Sequence, residues 1–218
     1  MSHLYEPTPL PVFENTIDFE TTTYWYPIIE YWNVLFPDKP AGQIKPPFYF
    51  TIDMGKKATY SRFRWTGDKR LTPSRNFHYN APQIFNIWGC NNPKLIADVE
   101  DPNGIYPKGS RQANQAYWSS WPAANGTDAW KEDGWVLLAQ CQWIMSDGTL
   151  AQYVPNLVMN AEDWAKYTME GYEFEFNQDV FEAYRYLRFE ILKTVRIDGS
   201  YAMEFVISGL RFWGAFPD

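Results

Sequence analysis

In the stretch YRYLRFEILKTV, Leu187, Phe189 and Ile191 alternate with Tyr186, Arg188 and Glu190. A strand sends successive side chains to opposite faces, so this alternation predicts a strand with one apolar face and a second layer to cover it. The same period of two recurs along the chain. Phe50, Ile52 and Met54 alternate with Thr51 and Asp53 in FYFTIDMG, and Ser61, Phe63 and Trp65 alternate with Tyr60, Arg62 and Arg64 in TYSRFRW. Gly55-Lys56-Lys57 lies between these two runs, which predicts an antiparallel hairpin. Further strands are predicted at Gln83–Gly89, Trp135–Cys141, Tyr172–Phe176 and Glu204–Trp213, with shorter ones near Val12–Phe19 and around Tyr153.

Helical signals are few. NAEDWAKYTMEG has Asn160 to cap, Glu162 and Asp163 in the first turn and Gly171 at the exit, so one short helix is expected there, with Trp164 as its docking anchor. Tyr24–Leu35 has room for a short helical turn, against which Pro27 argues. Many strands, one helix and abundant Gly and Pro predict an all-β sandwich. Residues 1–20 read as an N-terminal extension or linker, and residues 21–218 as one sandwich domain.

Two connections are long for a sandwich, and long ordered loops are often functional. Residues 66–82 hold Arg75, Asn76, His78 and Tyr79, and residues 91–134 hold Trp118, Trp121 and Trp130. Aromatic residues make up 19% of the chain. Most of those rings belong in a β core. Trp65, Trp88, Trp135 and Trp213 are expected in the core or on a sheet face. The loop rings are candidates for stacking on flat sugar faces, with Arg75, Asn76 and His78 supplying hydrogen bonds. The competing reading is that the loop rings cap the sandwich.

Charge and composition exclude several classes. The net charge is −7 with no long basic run, which argues against nucleic acid or an anionic membrane as partner. No apolar run is long enough to span a bilayer. Cys90 and Cys141 are far apart and outside any metal-ligand spacing, and read as two separate thiols. His3 and His78 are the only histidines, and no nucleophile, zinc or phosphate-loop motif is present. Glu173 and Glu175 share one face of one strand, whereas a glycosidase sets two carboxylates on opposite sides of a bond. The chain is therefore expected to bind and not to catalyse. Asn125-Gly126-Thr127 fits a glycosylation sequon and is read as a chance match.

The order of segments resembles discoidin domains, also called coagulation factor 5/8 type C domains. FTIDMGKKATYSRFRW resembles their Asp-Leu-Gly and Ser-Arg-Phe-Arg pair, and PQIFNIWGCNNP their Phe-x-Val-x-Gly-Ser-Asn strand and turn. DGWVLLAQC, YRYLRFEILKT and LRFWG resemble the three later strands, so the likeness runs from Phe48 to Gly214. EGYEFEF before the Arg-Tyr strand is most similar to the C-terminal discoidin-like domains of surface lipoproteins from polysaccharide-utilisation systems of Bacteroidetes. The resemblance implies a galactose-binding-like jelly roll of about eight antiparallel strands. It also implies an extracytoplasmic place, on the outer-membrane surface or in the periplasm, within a larger exported lipoprotein. The implied partner is a glycan or polysaccharide, or alternatively other domains or proteins of an uptake complex. Many discoidin domains hold a structural calcium through an Asp-Gly loop and a Glu in the closing strand. Gly209 stands at that Glu position, and the early loop has Asp38 without Asp-Gly, so no cofactor is expected.

Overall fold

The computed structural model describes residues 46–67, 81–120, 125–152, 159–195, 207 and 209–217. Six strands lie among them: β1 (Phe48–Thr66), β2 (Pro82–Cys90), β3 (Val136–Gln142), β4 (Tyr172–Glu175), β5 (Tyr184–Thr194) and β6 (Gly209–Ala215). The first half of β1 pairs antiparallel with β5, which pairs with β2, which pairs with β3. The second half of β1 pairs with β4 and with β6. The predicted short strand near Val12–Phe19, the turn at Tyr24–Leu35, Asp38 and the segment around Tyr153 lie outside the described residues.

The expected hairpin at Gly55 is not formed. Phe48–Asp53 and Thr59–Thr66 are two halves of one strand and pair with different neighbours. Gly55 has φ +78, and the register against β5 slips between Asp53 and Ala58. Such a slip kinks a strand without reversing it, which is how a strand passes from one sheet to the other at a sandwich corner. The bend is clamped: the Gly55 amide donates to Asp53 Oδ1 at 2.8 Å, and Arg185 Nε and Nη2 donate to the two Asp53 oxygens at 2.7 and 2.8 Å.

Between the layers lies a core of rings. Phe63, on the second half of β1, is fully buried. It meets Phe85 and Phe189 of the facing layer at 6.0 Å, and Phe174 and Phe212 of its own layer at 5.1 and 6.0 Å. Leu187, Phe189 and Ile191 are all fully buried, as their alternation predicts. Phe189 stacks at 4.5 Å on Phe50, its cross-strand partner. The result is the all-β sandwich expected from the strand pattern.

The helix expected after Asn160 is present. Asn160 Oδ1 accepts from the Asp163 amide at 2.8 Å, a helical turn follows at Ala161–Ala165, and a wider π-helical turn continues it over Lys166–Glu170. The wide turn carries Tyr167 into the core, flat against Trp143 at 5.4 Å. Trp164 packs partly buried on the same core, the anchoring role expected of it. A second helix, Arg111–Trp118, lies in the connection after β2; Ser110 Oγ caps it by accepting from the Ala113 amide. Its sequence, RQANQAYW, has too few apolar residues to show a helical stripe. Cys90 and Cys141 are both buried free thiols, and burial pushes the Cys141 thiol up to about 12.

The connection after β2 has a structural task. It folds over the outer face of β5, so Arg188 and Glu190 are buried as fully as the core side. The Arg188 guanidinium lies 4.6 to 5.0 Å from the rings of Trp130, Tyr49 and Trp118. It also donates to Thr51 Oγ1 at 2.8 Å and to the Trp118 carbonyl at 2.6 Å. Glu190 accepts from Asn86, Trp88 Nε1 and Lys131 at 2.9, 2.9 and 2.6 Å. Burial disfavours the Lys131 ammonium, but Glu190 and Asp128 outweigh it and hold the group above its ordinary value.

Three outcomes test this account. Leu187→Asp inserts a charge between the layers and is expected to abolish cooperative melting by circular dichroism. Arg188→Ala leaves its acceptors without their donor and removes packing from three rings; urea unfolding is expected to show a loss of about 3–5 kcal/mol. The Asp53 carboxyl is held below the usual carboxylate range, chiefly by its hydrogen bonds from Arg185. A lowered folded pKa means that its contribution is complete above about pH 4 and is lost as pH falls through the folded value. Asp53→Asn is therefore expected to be less stable at neutral pH and to lose less stability on acidification, read from thermal melts across the acid range.

Candidate functional site

The second layer carries a surface concavity. At its root, Gly214 packs against β1 so closely that a Cβ there would sit 1.9 Å from the Thr59 carbonyl oxygen. The register slips there, between Tyr60 and Arg62 against β6. Ser61 Oγ donates to the Trp213 carbonyl and Thr59 Oγ1 to the Ala215 carbonyl, each at 3.2 Å. The segment after β4 then rises beside this slip. Its path is fixed by the Asn177 amide, which donates to the Leu138 carbonyl at 2.7 Å.

Between these parts lies an open cleft of about 610 Å³. Ser61, Arg62 and Trp213 line one wall, and Asn177, Gln178 and Phe181 line the other. Phe181 is 82% exposed. The walls thus offer a bare ring, a partly buried indole, hydroxyls, amides and one guanidinium. Among the described residues, no Asp, Glu or His lines the cleft.

The cleft wall continues onto the outer face of the second layer. Arg62 and Arg64 alternate with Phe63 and so point outward; on β6, Arg211 and Trp213 do the same. The guanidinium carbons of Arg62, Arg64 and Arg211 lie 4.6, 5.2 and 5.1 Å from the Trp213 ring centroid. Glu173 accepts from Arg62 Nη1 at 2.8 Å and Arg64 Nη2 at 2.9 Å. Arg64 foremost, with Arg62, holds the Glu173 carboxyl below the usual carboxylate range. The expected role of Glu173 as a sheet-face residue holds, while Glu175 stands opposite Arg62 in the ladder.

The rings expected to bind ligand are placed differently. Trp118 and Trp130 are 1% and 0% exposed. Their edges and faces meet Trp135, Tyr117, Trp88 and Arg188, so they cap the sandwich and have no free face to stack on a sugar. Trp121, Arg75, Asn76, His78 and Tyr79 lie outside the described residues. The two long connections also join β2 at opposite ends, one before Pro82 and one after Cys90. The cleft residues were missed by sequence reasoning because none sits in a long connection rich in rings. Strand parity was the available signal: Trp213 shares the outward parity of Arg211, not the inward one of Leu210 and Phe212.

Among the described residues, no group of three or more His, Cys, Asp or Glu comes together in a way that could hold a metal. A search of curated proteins found no match. Among solved structures, a SusE-like protein, BT2857, is 25% identical with a TM-score of 0.55. The match covers 93% of this chain and 55% of that one, so this chain spans about half the length of the SusE-like protein. A family 32 carbohydrate-binding module, CBM32-3, from a family 31 glycoside hydrolase of Clostridium perfringens is 14% identical with a TM-score of 0.48, over 98% of this chain and 88% of that one. The family 32 module of NanJ from C. perfringens, solved with galactose, is 12% identical with a TM-score of 0.45, over 97% and 91%. The chain's ordered motifs resemble those of discoidin domains. A family model covers residues 27–214, and the chain therefore belongs to the DUF5000 family, a domain of unknown function.

Proposed function

We propose that this chain is a noncatalytic carbohydrate-binding module of an exported surface protein that captures polysaccharide. The observation that carries the reading is the cleft, in which two accessible aromatic rings face hydroxyl, amide and guanidinium groups. Sugar recognition needs this pairing: a ring for the C–H face, and polar groups that both donate and accept for the hydroxyls. The likeness to a SusE-like protein supports placement in a glycan-capture system. The discoidin-like motifs support an extracytoplasmic location within a larger lipoprotein. No described helix is long and apolar enough to cross a membrane.

Among the described residues the cleft walls carry no carboxylate, whereas glycoside hydrolysis uses two, which supports binding. Arg75, Asn76, His78, Tyr79 and Trp121 form a second proposed contact set. Docking onto a neighbouring protein of an uptake complex is the competing reading. It is favoured by the exposure of Phe181 together with Phe216, which is 70% exposed just beyond Ala215 of the cleft.

A glycan array followed by calorimetry separates the two. The carbohydrate reading expects affinity in roughly the millimolar to micromolar range, weakened at least about tenfold by Phe181→Ala or Trp213→Ala, with unchanged melting. No glycan bound, with a co-purifying protein lost on Phe181→Ala, establishes docking instead.

A further inference from the structure

The cleft's charge is one-sided. Among the described residues, Arg62 is the only charged one on its walls. Arg64 and Arg211 extend the same face, so three guanidiniums converge on one indole ring within 5.2 Å. Like charges held this close repel, and a carboxylate or another anion relieves the repulsion. Glu173 satisfies two of the three, through Arg62 and Arg64. Among the described residues, Arg211 has no carboxylate partner.

The neighbouring acids do not cancel the face. Glu175 stands across the ladder from Arg62, on the side away from Trp213. Asp179 and Glu182 flank Phe181 in sequence but do not line the cleft, and Glu182 accepts from the Tyr184 hydroxyl at 3.0 Å. This arginine face stands out on a chain whose net charge is −7.

Resting on the carbohydrate reading above, we infer that the Trp213 cleft selects an acidic glycan. A carboxylate or sulfate ester on the sugar meets the Arg62 and Arg211 guanidiniums, and the sugar ring lies against Phe181. Guanidinium forks suit both anions, since each presents parallel oxygen acceptors. Cation–π contact with Trp213 presets the arginine side chains, which lowers the ordering cost of binding. The net negative charge of the chain repels acidic polymers at long range, so a measured preference for them has to come from this local site.

The test titrates the whole chain with three polymers at low and high salt: a polyuronate, a sulfated galactan and a neutral galactan. Expected is binding of the polyuronate, the sulfated galactan or both at least about tenfold tighter than the neutral polymer, with the preference reduced by salt. Which acidic polymer binds identifies the anion. Arg62→Gln with Arg211→Gln is expected to erase the preference, and Arg211→Gln alone, at a surface position that does not hold the fold, to reduce it. Binding of the neutral galactan as tightly as both acids, or a preference that survives the double substitution, overturns the acidic assignment and leaves the carbohydrate reading intact. Failure of all three polymers, followed by an empty glycan array, overturns both.

Discussion

One strand belonging to both layers is the constraint on which the rest depends. Because β1 runs unbroken from Phe48 to Thr66, the bend at Gly55 sets how the sheets face each other. The Asp53–Arg185 clamp ties that bend to β5, the central strand of the first layer. Phe63 then has a single place to go, into a nest of rings drawn from both layers. The same strand supplies Ser61 and Arg62 to the cleft, so the core and the candidate site share one covalent frame. Movement at the bend would displace both.

The aromatic richness of the chain has two structural outlets before any ring is left for binding. The first is the core between the layers. The second is the cap over the outer face of β5, where Tyr49, Trp118 and Trp130 surround Arg188. A buried guanidinium is costly unless its charge is compensated. Here two oxygen acceptors and three ring faces compensate it, and Glu190 meets Lys131, Asn86 and Trp88 beside it. This polar cap needs a long covering segment, which explains why the connection after β2 is as long as it is. Its length answers a packing need.

The sandwich was legible in the sequence because burial imposes period two on a strand. Leu187, Phe189 and Ile191 follow that rule, and so do Phe50, Ile52, Phe63 and Trp65. The topology at Gly55 was not legible: a glycine with positive φ serves a turn and a bulge equally, and only pairing partners far away in sequence decide between them. The burial of Arg188 and Glu190 was hidden for a related reason. Alternating polar residues ordinarily mark a solvated face, and nothing local reveals that a distant segment covers it. The cleft escaped notice because its walls come from three short pieces that lie far apart along the chain, Thr59–Arg62, Asn177–Phe181 and Trp213–Ala215, each unremarkable alone.

The two layers also divide the chemistry of the surface. On the first layer, arginine and glutamate are sealed under rings, where they can only hold the fold. On the second, the same residue types alternate outward with no segment above them among the described residues, and a tryptophan stands among the arginines. The aromatic–guanidinium contact is thus used twice, once buried at Arg188 and once open at Trp213. Burial makes the first contact a fixed support. At the second, solvent has access to the arginines and one of them lacks a carboxylate partner among the described residues. The capacity for recognition therefore follows from which face is covered, and not from a difference in residue type.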